Sequence, residues 1–383
     1  MSKTHQGSWQ GDGTPATDVA FAEFERKHIL RDLTVHHTRT TPVLVIGQPR
    51  SGTTIFARMI RKYLKVNFGP ESQFFLRFAR TLHQYGDLGH EAHLRSLIAD
   101  IAAERCFQRN QFRFSVDVEA ALRDVPEPTL SAVIDTVFRQ FARHNGMTRW
   151  GDKTPEYLWD LPTLYRLFPD AQFIHLVRDG RDVALSNAHV HFGPRNPVMS
   201  AVNWRKQMEL AERFAAGLPR EQYHELRYED FLTDPVTHFA HLIDYLGISD
   251  PDGALIRFID AHIGGELKAG NFRKWQTRYS RRQQINYERV AGEHLRRHSY
   301  KTTIASPRPM SGAELLFWQV DHFVRKGSDP DAWKDTFYRL KLRLRHARIA
   351  QPSMARSPVD RAVPRSIPLS APSAVPERFR RSA

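Results

Sequence analysis

A glycine-containing loop lies between a short apolar run and an amphipathic segment, and this order limits the folds that the chain can adopt. The run Val43–Ile46 (VLVI) suits a buried strand, and residues 47–54 (GQPRSGTT) follow it directly. From Thr53 onward, apolar residues recur at the spacing of one helix face. The sequence therefore predicts a strand, a loop and a helix in that order, the opening unit of a parallel α/β sheet.

Two later segments repeat this order of strand and helix. An apolar run at residues 173–177 predicts a second strand, and residues 223–228 are predicted as a third. Helical patterns follow them, one beginning near Asp182 and the other over Pro235–Leu246, where Gly247 should end the helix. Strands that alternate with helices are typical of a parallel sheet whose ligands bind beyond the carboxyl ends of the strands.

Helices are also predicted outside these units, at residues 129–144, 203–216 and 154–168, the last with Thr154 as N-cap and Pro155 in its first turn. We therefore predict an α/β fold: a P-loop-type parallel sheet flanked by helices on both faces, with helical insertions and a C-terminal extension.

The chain divides into four predicted regions. Residues 1–40 are a polar leader with one short helix, 41–302 form the main α/β domain, 303–350 form an extension, and 351–383 are a basic, proline-rich tail expected to be disordered. Within the extension, residues 317–323 have helical spacing, whereas Leu340, Leu342 and Leu344 alternate with basic residues at strand period.

The formal charge of +14 is concentrated near the C-terminus, which weakens a nucleic-acid interpretation. From Thr336 onward, eleven Arg or Lys residues face two acids, so this part alone carries +9. The single Cys106 excludes an intramolecular disulfide framework. No signal peptide or membrane-spanning segment is predicted, so we expect a cytoplasmic protein without a nucleic-acid partner, for which peripheral membrane contact through the basic C-terminal region stays open.

The loop matches the ATPase pattern G-x-x-x-x-G-K-[ST] except that Thr53 replaces the lysine. Its backbone N–H groups and the helix N-terminus would still bind a phosphate, but the side chain that reaches the outer phosphates of ATP is missing. Arg50 can supply a fork of donors to a phosphate or sulfonate oxygen. An ordinary glycine-containing turn is the alternative.

In the form Pro49-Arg50-Ser51-Gly52-Thr53-Thr54, the loop resembles that of sulfotransferases, which bind 3′-phosphoadenosine 5′-phosphosulfate (PAPS). It is most similar to the tyrosylprotein and carbohydrate branch of that family. The resemblance implies that Arg50, Ser51, Gly52, Thr53 and Thr54 contact the 5′-phosphosulfate.

A second motif, residues 178–186 (RDGRDVALS), resembles the 3′-phosphate motif of the same family and implies that Arg178 and Ser186 are ligands. Two alternatives exist for this segment. It could be a surface ladder of Arg and Asp that caps a helix, or Asp179 could be a magnesium-binding aspartate of an NTPase, although the missing loop lysine disfavours the latter.

Sulfuryl transfer needs a base for the acceptor hydroxyl and cations near the leaving phosphate. The family resemblance implies Glu71 as the base and Lys153, with Arg50, as the cations; no metal ion is expected. Rival bases are Asp152 and the histidines His83, His90 and His93.

Weaker resemblances imply that Tyr228, Arg273 and Lys274 lie in the nucleotide site. The resemblance covers residues 42–300. It implies transfer of a sulfuryl group from PAPS to a hydroxyl or amine of a carbohydrate, lipid or small natural product by in-line displacement. An atypical P-loop kinase or NTPase is the alternative enzyme, and a nucleic-acid or anionic-membrane binding protein that acts through its tail is a third hypothesis. The sequence leaves the oligomeric state open.

Overall fold

The structure is a computed structural model, and it describes residues 35–108, 114–188, 190, 193–267 and 270–328. The strands are β1 (His36–His37), β2 (Val43–Ile46), β3 (Val66–Phe68), β4 (Arg149–Lys153), β5 (Gln172–Val177), β6 (Tyr223–Arg227) and β7 (Ile248–Ser249).

The α-helices are α1 (Thr53–Leu64), α2 (Phe75–Thr81), α3 (Glu91–Ala102), α4 (Arg105–Gln108), α5 (Val118–Asp124), α6 (Leu130–His144), α7 (Leu161–Leu167), α8 (Gly180–Asn187), α9 (Pro197–Ala216), α10 (Tyr228–Thr233), α11 (Pro235–Leu246), α12 (Ala254–Ile263), α13 (Trp275–Arg278), α14 (Arg281–Arg297) and α15 (Gly312–Gly327). Short 3₁₀ helices cover Leu82–Tyr85, Pro155–Trp159 and Arg220–Gln222.

The main sheet is parallel, with the strand order β3-β4-β2-β5-β6. In the centre, Val43 of β2 pairs with Gly151 of β4 on one side and Gln172 of β5 on the other. A separate antiparallel pair joins β1 to β7. The α/β fold with a parallel sheet is thus confirmed, and the ends of β2, β4, β5 and β6 meet at one carboxyl edge.

Helices cover both faces of the sheet, because alternate residues of β2 enter two different cores. Leu44 and Ile46 pack with the helices that include α2, α3 and α6, whereas Val43 and Val45 pack with α1, α11 and α12. Side chains of a strand point alternately to opposite faces, so a run of four apolar residues is buried on both sides. This confirms the predicted layering.

Strand β4 (RWGDK) was not predicted, because polar residues dominate it. Its five residues are nonetheless buried. Arg149 donates to the carbonyl oxygens of Thr41 and Leu246, each at 2.7 Å, and a Cβ at Gly151 would lie 2.5 Å from the Phe68 ring. These partners are distant in sequence, so the local pattern does not indicate a strand.

The helix predicted for residues 154–168 is wrong as one element. A 3₁₀ helix ends at Trp159, and α7 begins at Leu161 with Asp160 as its N-cap, whose carboxylate accepts the Thr163 N–H at 3.3 Å. Pro162 has no N–H to continue the earlier helix. Thr154 does not cap through its side chain either, since its Oγ1 accepts the Ser72 N–H at 3.1 Å.

The other predicted helices are confirmed, with α9 starting earlier than expected. Asn196 caps it by accepting the Met199 N–H at 2.8 Å, and Gly247 ends α11 at φ 65° as predicted. The pattern at residues 317–323 lies in α15. The short helix predicted within residues 1–40, the Leu340–Leu344 alternation and the tail lie outside the described residues. Among the helices that are described, none has the length and apolar character needed to cross a bilayer.

Candidate active site

The loop between β2 and α1 presents its backbone at the carboxyl edge of the sheet. Gly52 has φ 93°, and a Cβ there would lie 2.3 Å from Tyr228 Cε2, so glycine is required for the loop to approach this ring. Gly52 is also the N-cap of α1, with no side-chain cap hydrogen bond and no acid in the first turn. The first N–H groups of α1 are therefore suited to bind an anion. Ser51 and Thr53 are buried, and Thr54 is exposed.

Arg50 links the two motifs that resemble phosphate sites. Its backbone has φ 74°, an unusual conformation for a residue with a side chain. Its Nε donates to Ser186 Oγ at 2.9 Å, and its carbonyl accepts a hydrogen bond from Arg178 at 3.0 Å. Arg178 and Ser186, which are 128 and 136 positions from Arg50 in the sequence, thus both contact this one loop residue.

Arg178 follows β5 and is largely buried. Its guanidinium donates to the Asn271 carbonyl at 2.9 Å and lies 4.7 Å from the centroid of the Tyr228 ring, a cation–π contact. Its Nε is buried and has no hydrogen-bond partner among the described residues. A buried cation with an unused donor beside a helix N-terminus is favourable for binding an anion.

The segment 270–275 lies over this anchor and is held by Asp182 of α8. The Asp182 carboxylate accepts the backbone N–H groups of Arg273 at 2.6 Å and Trp275 at 3.0 Å, and burial raises the pKa of this carboxyl. Within the segment, Asn271 donates to the Tyr228 hydroxyl at 3.1 Å and accepts from Lys274 at 2.6 Å. The side chains of Arg273 and Lys274 are exposed beside the nucleotide motifs.

On the other side of the loop, Lys153 and Glu71 form an ion pair. Lys153 ends β4 and its ammonium also donates to Thr54 Oγ1 at 3.1 Å. The Glu71 carboxylate accepts a hydrogen bond from Gln73 at 3.2 Å. Lys153 is 7% exposed and Glu71 32%, so the cation is fixed while the carboxylate stays accessible. The neighbouring strand thus supplies an ammonium at the loop whose own sequence lacks a lysine.

The rival bases are placed differently. Asp152 is buried, its Oδ1 accepts the Ser72 N–H at 3.3 Å, and burial raises its pKa to about 7. His83, His90 and His93 are exposed on and around α3, and the ring of His93 bonds the Asp87 carbonyl at 2.9 Å. None of the hydrogen bonds that the structure resolves connects these histidines to the loop.

The structure therefore brings the residues of the two nucleotide motifs and the Lys153–Glu71 pair to one edge of the sheet, whereas the rival histidines lie elsewhere. Two contributors were not predicted, Asn271 and Asp182, although both stand inside segments that the motifs marked. Asn271 follows Gly270 in an exposed basic loop, which is a local signal for a ligand-contacting residue. Asp182 has no comparable signal, because its partners lie 91 and 93 residues away.

Comparison with known proteins gives a family match and several relatives. The model of the family described as "Sulfotransferase family" matches residues 42–252, more than half of the chain. The omega-hydroxy-beta-dihydromenaquinone-9 sulfotransferase of Mycobacterium bovis is 29% identical over 110 residues, covering 26% of this chain and 28% of the relative. Protein-tyrosine sulfotransferase 2 of Gallus gallus is 24% identical over 232 residues, covering 57% and 54%. The matched segments thus cover 28% of the first relative and 54% of the second, so the chain spans only part of the length of each.

Among solved structures, the sulfotransferase domain from the curacin biosynthetic pathway matches with a TM-score of 0.43 and 18% identity, covering 69% of this chain and 99% of that chain. The family match itself covers β2 through β7, including the loop, the Lys153–Glu71 pair and the Arg178–Ser186 motif. This chain belongs to the sulfotransferase family.

Proposed function

We propose that this protein transfers a sulfuryl group from PAPS to a hydroxyl group of a lipid, carbohydrate or small natural product. The observation that carries the proposal is the meeting of three groups at one sheet edge. The uncapped N-terminus of α1 and the buried Arg178 provide two places for anions, and the Lys153–Glu71 pair lies beside Thr54 of the same loop.

The residues present fit a nucleotide that carries phosphate groups at both ends of its ribose. The unused buried Nε of Arg178, with Ser186 and Arg50 beside it, suits the 3′-phosphate. The loop residues Arg50–Thr54 suit the 5′-phosphosulfate. The other candidate nucleotide contacts are Tyr228, whose ring contacts Arg178, and the exposed side chains of Arg273 and Lys274. When bound, PAPS supplies an electrophilic sulfuryl group and 3′-phosphoadenosine 5′-phosphate (PAP) as the leaving group.

In this proposal Glu71 accepts the proton of the acceptor hydroxyl at a carboxylate oxygen. Lys153 holds that carboxylate by its ion pair and contacts the loop through Thr54, so the base and the loop keep a fixed relation. The ammonium of Lys153, with Arg50, stabilises negative charge that grows at the loop during transfer, in a site where it is largely shielded from water. Asp152 does not act as the base, because its carboxyl is buried under the Ser72 N–H.

The acceptor class follows from the base and from the relatives. A carboxylate suits deprotonation of a hydroxyl during the transfer step. The names of the two relatives specify an omega-hydroxy dihydromenaquinone and a protein tyrosine, both of which offer a hydroxyl. We extend this hydroxyl chemistry, and not either acceptor, to the present chain.

Titration calorimetry with PAP tests the proposal without knowledge of the acceptor. We expect micromolar binding that Arg178→Ala weakens by at least about tenfold, since a lost charge-assisted contact costs about 1.5–3 kcal/mol. Arg166→Ala, an exposed arginine of α7 that bonds Thr163 at 2.7 Å, is the matched control and should bind as the wild type does.

The kinase or NTPase alternative predicts a different result in titration calorimetry. It requires magnesium-dependent ATP binding that exceeds PAP binding, with ATP hydrolysis lost in Thr54→Ala. No PAP binding by the wild type, or equal binding by wild type and Arg178→Ala, would overturn the proposed nucleotide site.

A further inference from the structure

Helix α15 (Gly312–Gly327) turns its apolar face outward. Five large apolar side chains are between 53% and 67% exposed, at positions that recur along one helix face; we call them the outward stripe: Leu316, Phe317, Val320, Phe323 and Val324. Ala313 and Gly327 lie on the same arc by helical spacing, so no charged residue interrupts it. A surface helix of a globular protein normally buries such a stripe.

The opposite side of α15 is fixed to the body by polar contacts. Arg289 of α14 binds the Glu314 carboxylate with two hydrogen bonds of 2.8 Å. Asn196 donates to the Trp318 carbonyl at 2.9 Å and to Asp321 at 2.8 Å. A capping box of Ser311 and Glu314 defines where the helix starts. Rotating the stripe inward would break these contacts, so the orientation is built into the fold.

The charge near α15 selects the kind of surface that can cover the stripe. Arg325 and Lys326 stand in its last turn, where Arg325 also pairs with Asp321 at 2.8 Å. Residues 329–335 carry three Asp and one Lys, and the +9 segment begins at Thr336, eight residues after Ser328. An anionic lipid surface attracts basic groups that lie near its head groups. A second copy of this chain would bring two such segments together and be repelled.

The dimensions agree with a bilayer surface as well. A helix of 16 residues is about 24 Å long, and a single-helix stripe of five side chains offers little area for a stable homodimer, which buries about 1,200–2,000 Å² in total. A helix lying in a membrane interface buries its apolar face by about 5–10 Å, for which Phe, Leu and Val side chains suffice.

We propose that α15 docks this protein on anionic membranes, with the outward stripe inserted among the lipids. The proposal does not depend on the proposed transfer reaction, because docking is measured in the absence of PAPS. Its occupant is a lipid surface, and a second copy or another segment of this chain would be a different result of the same experiment.

The test is co-sedimentation of the full chain with vesicles of phosphatidylcholine alone or mixed with phosphatidylglycerol. We expect binding to the mixed vesicles that weakens as salt is raised, and at least tenfold weaker binding after Phe317→Ser with Phe323→Ser. Trp159→Ser is the matched control, because Trp159 is an exposed large apolar residue that lies outside α15. It should bind vesicles as the wild type does.

Three results would overturn the proposal. The wild type could fail to bind the mixed vesicles, or the double variant could bind them unchanged, which would leave the tail charge as the sole cause. Light scattering could instead show that the wild type is a dimer and the double variant a monomer, which would mean that a second copy of the chain covers the outward stripe. Circular dichroism of each variant shows that a loss of binding does not come from unfolding.

Discussion

The two sides of the candidate site hold their charged groups in different ways. On the side of β4, which we call the transfer side, Lys153 and Glu71 pair directly with each other, and Glu71 is one-third exposed. On the side of β5, which we call the anchor side, Arg178 is bound by backbone carbonyls and Asp182 by backbone N–H groups. Backbone groups hold the anchor-side charges in one position, whereas on the transfer side the Glu71 carboxylate stays accessible to solvent while the buried Lys153 holds it beside the loop.

A buried network reinforces the anchor side. Arg181 is almost fully buried, donates to both carboxylate oxygens of Asp179 and to Glu288, and lies 3.6 Å from the Trp275 ring centroid. Removing one member of such a buried set leaves another charge unpaired, which is costly. Substitutions on the transfer side should therefore alter the rate of transfer, while those on the anchor side should alter nucleotide affinity and stability.

The largest effect is expected for Lys153→Ala on the transfer side. Removal of the ammonium should lower the rate of PAP release from PAPS by about 10²–10³-fold, because a preorganised charge at the developing anion is lost. PAP affinity should change by only a few fold, since Arg178 and α1 remain. Lys62→Ala, which breaks the ion pair with Glu266 away from the loop, serves as control. A loss of affinity as large as the loss of rate would erase the distinction between the two sides.

Glu71→Gln should follow, with about 10²-fold slower transfer, the lower range for losing a general base. The amide keeps the shape but cannot accept the proton, and the ion pair with Lys153 is lost as well. The comparison is with Glu221→Gln, placed at the amino-terminal end of β6 and thus at the opposite edge of the sheet. Transfer at the wild-type rate in Glu71→Gln would remove Glu71 from the role of base.

The sequence predicts the parts of the site that lie within one short segment. Residues 47–54 with α1, and Arg178 with α8, are each a strand, a turn and a helix in immediate succession, so apolar runs and spacing suffice to find them. The family resemblance marked Glu71 and Lys153 one at a time. Their contact could not be predicted, because β4 was not recognised and only the pairing of β4 beside β2 brings Lys153 to Thr54.

The remaining features depend on partners distant in sequence. Arg149 makes β4 a buried strand only because Thr41 and Leu246 offer carbonyls. Asp182 holds residues 270–275 through hydrogen bonds to backbone N–H groups, which carry no sequence signature. The outward orientation of the apolar face of α15 also depends on distant partners. Helical spacing predicts the helix, while the contacts of Asn196 and Arg289 decide which face points outward.

On the anchor side, Asp182→Asn should weaken PAP binding by about tenfold. An amide offers one acceptor oxygen where the carboxylate accepts two N–H groups, so either Arg273 or Trp275 loses its partner, at a cost of about 1–3 kcal/mol. The rate of transfer at saturating PAPS should stay within a few fold of wild type. Asp170→Asn, on the exposed turn before β5, is the control in calorimetry. Unchanged affinity would show that segment 270–275 does not contribute to the nucleotide site.

The smallest effect on the rate of transfer, about twofold or less, is expected for Asp152→Asn. This substitution should instead change how the thermal stability of the protein depends on pH. Burial raises the Asp152 pKa to about 7 from 3.8, so the folded protein binds a proton in a range where the unfolded chain has released it. This contribution to stability is fully present below about pH 4 and is lost as pH rises through about 7. The asparagine variant cannot ionise, so thermal unfolding from pH 4 to 8 should show it gaining stability relative to wild type. Parallel curves for the two proteins would mean that Asp152 stays ionised, and its buried Oδ2 would then need a partner that the hydrogen bond to Ser72 does not provide.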